Sequence, residues 1–243
     1  MSAEENRMRP TDASGTILAG GIALVGGALA FLGVFSYLAA RFHYPEVLEG
    51  SAQEVLPALL ATGTSGRAAW AIYGVLPLVF IPAGVGAFEA LRGRAAGPMR
   101  VGALFASLAA IAMMLGLMRW PSVHWELARA WGFASGGERL VLAAVFDGFN
   151  RYLGNYLGEF LGELSFSVFF VLSGVGLLRH RGAPRWLAWW GIATGGLGLI
   201  GMWRNVTSAV FVVAAVNNYL LPAWMIGFGV WLIRVRTVVR SEA

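Results

Sequence analysis

The sequence predicts an all-α integral membrane protein, a bundle of six transmembrane helices with amphipathic helices added on its outer face. Of 243 residues, 58% are hydrophobic and only 13% are charged, and the mean hydropathy is +0.67; soluble globular domains do not have this balance. Six apolar runs have the length a helix needs to cross the hydrocarbon core, about twenty residues. Arg residues sit at the ends of those runs, where a membrane anchor belongs.

The runs are Thr16–Ala40, Ala68–Leu91, Val101–Met118, Gly158–Leu178, Trp186–Trp203 and Ala214–Ile233, all in a single polytopic domain covering 1–243. The first follows Arg7 and Arg9 as the core of a signal peptide would, but it is too long for one and Leu38-Ala39-Ala40 is a poor cleavage site. It therefore counts as a span. Between the runs, the inner hairpins "LRGRAAGPMR" (Leu91–Arg100) and "LRHRGAPR" (Leu178–Arg185) each carry a Pro where the next helix can begin without a needed N–H. The outer connections, Phe42–Arg67 and Pro121 to about Leu157, are longer. They hold amphipathic stretches with Trp125, Trp131, Phe146, Phe149, Tyr152 and Tyr156, a composition suited to helices at the headgroup level. Within spans two and six, Pro77, Pro82 and Pro222 predict kinks.

Orientation follows from Arg, which is retained on the cytoplasmic side. With the N-terminus inside, the inner segments hold Arg7, Arg9, Arg92, Arg94, Arg100, Arg179, Arg181, Arg185, Arg234, Arg236 and Arg240. The outer segments hold Arg41, Arg67, Arg119, Arg129, Arg139, Arg151 and Arg204, offset by Glu46, Glu49, Glu54, Glu126, Glu138 and Asp147. Both termini are predicted to be cytoplasmic. All eighteen basic residues are Arg, and with 33 Gly the composition looks like that of a GC-rich bacterial genome, which puts the expected location in a bacterial inner membrane. The net charge of +5 is scattered, with no basic block or aromatic-interleaved patch, so no nucleic-acid partner is expected. Zero Cys excludes disulfides, thiolate metal sites and thiol catalysis.

The phrases "FHYPEVLEGSAQEVLPALLATGTSGRAAWAIYGVLPL" (Phe42–Leu78), "FNRYLGNYLGEFLGEL" (Phe149–Leu164) and "GAPRWLAWWGIATGGLGL" (Gly182–Leu199) together resemble a family of small bacterial multi-span membrane proteins whose domain has no assigned function. The resemblance covers most of the chain and implies a six-helix membrane fold with no catalytic residues carried over. In such proteins a Gly-Glu-x-Leu-Gly phrase goes with the fourth span. Here it is Gly158-Glu159-Phe160-Leu161-Gly162, which favours Glu159 as the more important member of the pair Glu159 and Glu163.

Chemistry is expected where the fourth span begins. A step of four residues on an α-helix advances about 40° beyond a full turn, so Asp147, Arg151, Asn155, Glu159 and Glu163 form a slowly winding polar stripe. Gly154, Gly158 and Gly162 form a stripe beside it, the small-xxx-small pattern of close helix contact, within the chain or with a partner or second copy. Counting about twenty residues back from Arg179 puts Glu159 at the outer interface and Glu163 about 6 Å deeper, where it needs a partner or a proton. Arg41, Arg119, Arg204, Asn217 and Asn218 reach a similar level from other spans, as does Arg67. Each Arg could instead snorkel to phosphate. Asn217 and Asn218, about 100° apart on a helix, cannot both face one way.

The candidate ligand-binding set is therefore Asn155, Glu159, Glu163, Arg41, Arg119, Arg204, Asn217 and Asn218. His43, His124 and His180 lie in separate loops without metal-ligand spacing, so neither metal nor cofactor is expected. Nucleophile elbows, zinc-protease and phosphate-loop motifs are missing. Three functions remain open. The chain could bind or transport a small polar or amphipathic ligand through an outward polar vestibule, serve as a non-catalytic subunit of a membrane complex, or modify lipids with Glu159 and Glu163 as acid and base.

Overall fold

The computed structural model describes residues 10–241 other than 46, 48 and 49. Arg7, Arg9, Glu46 and Glu49, counted above for orientation, lie outside the described residues, as does the side chain of Arg240. All regular structure among the described residues is helical: α1 (Pro10–Phe42), α2 (Ala52–Ala61), α3 (Gly63–Val75), α4 (Phe80–Met118), α5 (Trp125–Trp131), α6 (Gly136–Phe149), α7 (Gly162–Arg179), α8 (Arg185–Gly201) and α9 (Phe211–Ser241). The stretches Ala13–Phe42, Gly63–Trp131, Gly136–Arg179 and Ser208–Arg236 are long and apolar enough to cross a membrane. The chain is a helical membrane bundle.

Local chemistry sets the breaks. Pro77 interrupts the second predicted span with a 3-10 turn, Leu76–Val79, between α3 and α4, because Pro donates no N–H to the helical ladder. The hairpin expected over Leu91–Arg100 is helical except at Ala95 (φ −139°, ψ 31°), and there the chain folds back. A methyl added to Gly84 would lie 2.7 Å from Ala106 Cβ, a contact that one straight helix of that length cannot make. The second hairpin closes over His180, whose Nδ1 accepts from Gly182 N–H at 3.2 Å, and Pro184 precedes α8. Among the outer connections, α2 and α6 start at Ser-x-x-Glu boxes. Glu54 accepts from Ser51 N–H at 3.1 Å and Glu138 from Ser135 N–H at 2.7 Å.

The long helices close a ring in which α1 packs on α4, α4 on α7, α7 on α8, α8 on α9 and α9 on α1. Glycine allows the close crossings. A methyl on Gly20 would lie 2.9 Å from Gly86 Cα, and one on Gly158 the same distance from Gly116 Cα, so these backbones touch as small-residue membrane seams do. Inside the ring an aromatic column runs Phe166–Phe170–Trp224–Phe228, with successive centroids 4.1, 4.2 and 4.8 Å apart. Trp224 Nε1 donates to Leu187 O at 2.9 Å, which satisfies the column's buried donor.

A second core caps one end of the bundle. Val55, Leu56 and Leu59 of α2 pack there with Trp70, Trp120, Trp125, Trp131 and Phe146, and Trp70 stacks on Trp120 at 4.9 Å. This corrects the expectation for three aromatics. Trp125, Trp131 and Phe146 are buried between α2, α5 and α6, whereas Phe149, Tyr152 and Tyr156 stay exposed. The outer-connection helices bury their apolar faces against one another, so these three rings pack inward instead of facing headgroups.

Candidate functional site

The fourth predicted span begins as a π-helix, Asn150–Leu161, and becomes α-helical at Gly162. In a π-helix four residues fall short of a full turn, so the predicted stripe winds the other way through this segment. The glycine stripe faces the second limb of α4: Gly158 meets Gly116, Gly162 meets Met113, and Gly154 lies under the Arg119 guanidinium. The chain's own helix therefore covers Gly154, Gly158 and Gly162, and a partner or second copy docking on them would have to displace α4.

Of the polar stripe, Glu159 and Glu163 face the far end of α8, while Asp147 and Arg151 are exposed. There the 3-10 turn Met202–Asn205 carries Arg204 and Asn205 across to Glu159 and Glu163. Arg204 Nη1 donates to Glu163 Oε2, and its Nε lies 3.4 Å from Glu159 Oε2. Asn205 Nδ2 donates to the same Glu159 oxygen at 2.9 Å and to the Asn155 carbonyl at 3.0 Å. A methyl on Gly201 would stand 3.3 Å from Glu163 Oε1 and 3.1 Å from Ala214 Cα, so the absent side chain opens the space where α7, α8 and α9 meet. Phe160 closes edge-to-face on Trp203 at 5.2 Å beside the cluster.

The side chains of Arg204, Glu159 and Glu163 are 23%, 29% and 12% exposed. Charges at that depth need partners, and each has one. Burial works against the Arg204 charge, yet the Glu163 and Glu159 carboxylates outweigh it and hold the guanidinium's pKa above its ordinary value. The cluster is thus a guanidinium bridging two carboxyl groups, with an amide completing the network.

Arg119 forms a separate cluster. It is 4% exposed. Its Nε and Nη2 donate to Asn150 Oδ1 at 3.1 and 3.0 Å, Nη1 donates to Gly116 O at 2.5 Å, and its guanidinium lies 5.0 Å over Trp120. Among the described residues no carboxylate is within ion-pair distance of it, and Glu159 acts on it only across space.

The remaining candidates lie elsewhere. Asn217 is buried at 1%. In the amide orientation that satisfies both ends, it donates to Thr194 O and accepts from Gly198 N–H, each at 3.2 Å, beside Ser167. Asn217 therefore ties α9 to α8 below the cluster. Asn218 is exposed on α9, and Arg41 is exposed at the end of α1; neither joins the cluster. The structure brings Glu159, Glu163, Arg204 and the Asn155 carbonyl together and leaves the other four outside.

Sequence reading missed Asn205, Asn150 and Glu89. Asn205 follows Arg204 directly, and a polar pair at the start of a predicted outer turn is a signal that could have flagged it. Glu89, 9% exposed at the opposite end of the bundle, lies 3.1 Å from Arg92, an i,i+3 spacing legible in "EALR". Among the described residues no three His, Asp or Glu side chains form a metal-sized group. His124 is fully buried against Trp120 and Phe146.

Arg204→Ala strands two partly buried carboxylates, and the purified protein is expected to lose about 3 kcal/mol, at the low end for breaking a buried pair. Glu163→Gln keeps the shape and removes one charge, so it should cost less. Thermal unfolding of the two variants in one detergent checks this order, and equal stability of Arg204→Ala and wild type refutes it.

No solved structure and no curated protein matched this chain. A family model described as "Domain of unknown function (DUF4386)" matches residues 18–235, which include the whole Arg204 cluster and all of the ring but the first turns of α1 and the last of α9. That match covers most of the sequence, and this chain therefore belongs to the DUF4386 family of domains of unknown function.

Proposed function

We propose that the chain crosses a bacterial inner membrane six times with both termini cytoplasmic, and that it binds or carries a small polar or amphipathic ligand at the Arg204 cluster on its outer face. Six crossings are supported by the fold-back at Ala95, which divides Gly63–Trp131 in two, and by α8, a further apolar helix of 17 residues. Arg counts supply the orientation. Because the chain has no Cys, single-cysteine variants test it cleanly. A cysteine at Ser135 should react with an impermeant maleimide in intact cells, and one at Gly182 only after permeabilisation; the reverse pattern overturns the orientation.

The observation that carries the binding reading is Arg204 bridging two partly buried carboxylates across elements distant in sequence. A zwitterionic headgroup can take over one of these contacts at little net cost, since it offers each separated ion an opposite charge. Commitment of both carboxylates to Arg204 favours binding over acid–base work. A thermal-shift panel of small neutral and zwitterionic polar compounds and amphiphiles, with carboxylates, phosphates and amines as charged counterparts, tests it. At 100 Kd a true ligand raises Tm by roughly 5–10 °C, and Arg204→Ala and Glu163→Gln should abolish that shift. A panel without shifts, or shifts unchanged in both variants, refutes the reading.

A second reading, an accessory or structural subunit, is supported by α1. Ala19, Ile22, Gly26, Leu29, Gly33 and Ala40 recur at alternating steps and are all exposed, and a methyl on Gly26 or Gly33 would meet nothing within 4 Å. On this reading Leu29→Cys crosslinks in native membranes to another chain, and a purely monomeric band after oxidation counts against it.

A further inference from the structure

Where α3 begins and α4 ends, an open groove of about 380 Å³ runs between the two helices. Its floor is small and apolar, formed by Ala68, Ala71 and Met118. Thr64, Pro121, Ser122 and Arg67 complete the lining, which is mostly apolar, and the Arg67 side chain is 43% exposed beside it. One and two turns further along the same helices, Ile72, Val75, Leu115 and Ile111 are 53%, 46%, 44% and 46% exposed. The surface thus passes from cation and hydroxyls to small residues and then to bare hydrocarbon, in the direction that leads from the bundle's capped end to its middle.

Arg67 is held so that part of its donor set stays open. Its Nε donates to the Pro121 carbonyl at 3.0 Å and its plane lies 5.2 Å over Trp125. Its Nη2 makes one long contact of 3.5 Å with Glu126, and that carboxylate also takes Arg129 at 3.2 Å. Arg67 and Arg129 against Glu126 leave one net positive charge at the rim. The Arg67 side chain remains 43% exposed. A guanidinium has five N–H donors in a planar fork suited to phosphate, and among the described residues the Nη edge has that one long partner.

The geometry points to a phospholipid site: the Arg67 fork and the Thr64 hydroxyl hold the phosphate of an anionic phospholipid, whose acyl chain lies on Ala68, Ala71 and Met118. Charge complementarity selects an anionic headgroup over a zwitterionic one, because Arg67 and Arg129 outnumber Glu126 and, among the described residues, no carboxylate lines the groove. The floor residues are small enough for a chain to lie in the groove. This site is separate from the Arg204 cluster and does not depend on what that cluster binds.

The test uses the full-length protein delipidated in a mild detergent, with phosphatidylglycerol, phosphatidylcholine and inorganic phosphate as probes. Phosphatidylglycerol should stabilise the wild type against heat and remain bound in native mass spectra, phosphatidylcholine less so and inorganic phosphate not at all. Arg67→Gln should weaken phosphatidylglycerol about fivefold, the share of one Arg beside an anionic headgroup layer. Ala71→Phe fills the floor, leaves Arg67 in place and should also reduce lipid retention, which keeps the test sound if Arg67→Gln folds poorly. Unchanged phosphatidylglycerol binding in Ala71→Phe, or equal stabilisation by phosphatidylcholine or inorganic phosphate, overturns the proposal. Asn218→Ala, at an exposed position outside both sites, should bind phosphatidylglycerol like wild type; lipid retention is read at Arg67 and Ala71 and the ligand shift at Glu163, so failure here and failure of the Arg204 reading are distinguishable.

Discussion

A carboxylate packed between helices has to be neutralised or paired, and Glu163, 12% exposed, meets that demand with Arg204. The consequence is architectural. Arg204 lies between α8 and α9, so pairing it with α7 fixes where the α8–α9 connection can sit and brings Gly201 against Glu163 and Ala214. A bulkier residue at Gly201 would push the turn off the carboxylate, and the ion pair would lengthen where water is scarce. Charge, glycine and turn therefore act as one unit: the charge pair needs the close approach, and the close approach needs the missing side chain. Further down the same seam Asn217 does with neutral groups what Arg204 does with charge, tying α9 to the α8 backbone at Thr194 and Gly198.

The rest of the bundle depends on close approach in a similar way. Lipid gives helices little hydrophobic reason to associate, because acyl chains are as apolar as leucine. Contact must come from backbones that fit, and they do at Gly20 with Gly86 and at Gly116 with Gly158. The capped end follows other rules. There α2, α5 and α6 bury Trp, Phe and Leu in a separate aromatic core, as parts of a soluble domain would. Pro77 and Ala95 are the points at which the chain passes between regimes or reverses.

Much of this was legible in residues. Apolar length located each long helix, and the Gly154, Gly158 and Gly162 spacing announced a seam that the structure places against α4. The depth count marked Glu163 as the carboxylate in need of a partner. Two things were not legible. The π-helical form of Asn150–Leu161 left no mark in a pattern that reads equally well as α-helical, so the side-chain directions along the stripe could not be fixed. Nor could one chain's hydropathy show which of Arg41, Arg119 and Arg204 turns inward, since all three sit at ends of apolar runs; that depends on which helix each turn faces. The same limit hid the fate of Trp125 and Trp131, because an amphipathic helix at a boundary can offer its apolar face to lipid or to another such helix.

Arg119 and Arg204 make the contrast instructive. Neutral acceptors fill the Arg119 donors, but Asn150 and Gly116 satisfy hydrogen bonds without cancelling charge. The carboxylate that acts on Arg119 across space is Glu159, which also bonds to Asn205 and lies beside Arg204. Glu159 is therefore shared by two cations, and Glu163 serves one. Taken together, two guanidiniums face two carboxylates and the group is electrically balanced. A ligand that brought a net charge into it would leave one buried ion uncompensated, whereas a neutral polar or zwitterionic headgroup could replace Arg204 contacts in kind. On the binding reading, charge balance thus favours ligands that carry no net charge, and the shared carboxylate is the one through which occupancy at Arg204 would be felt at Arg119.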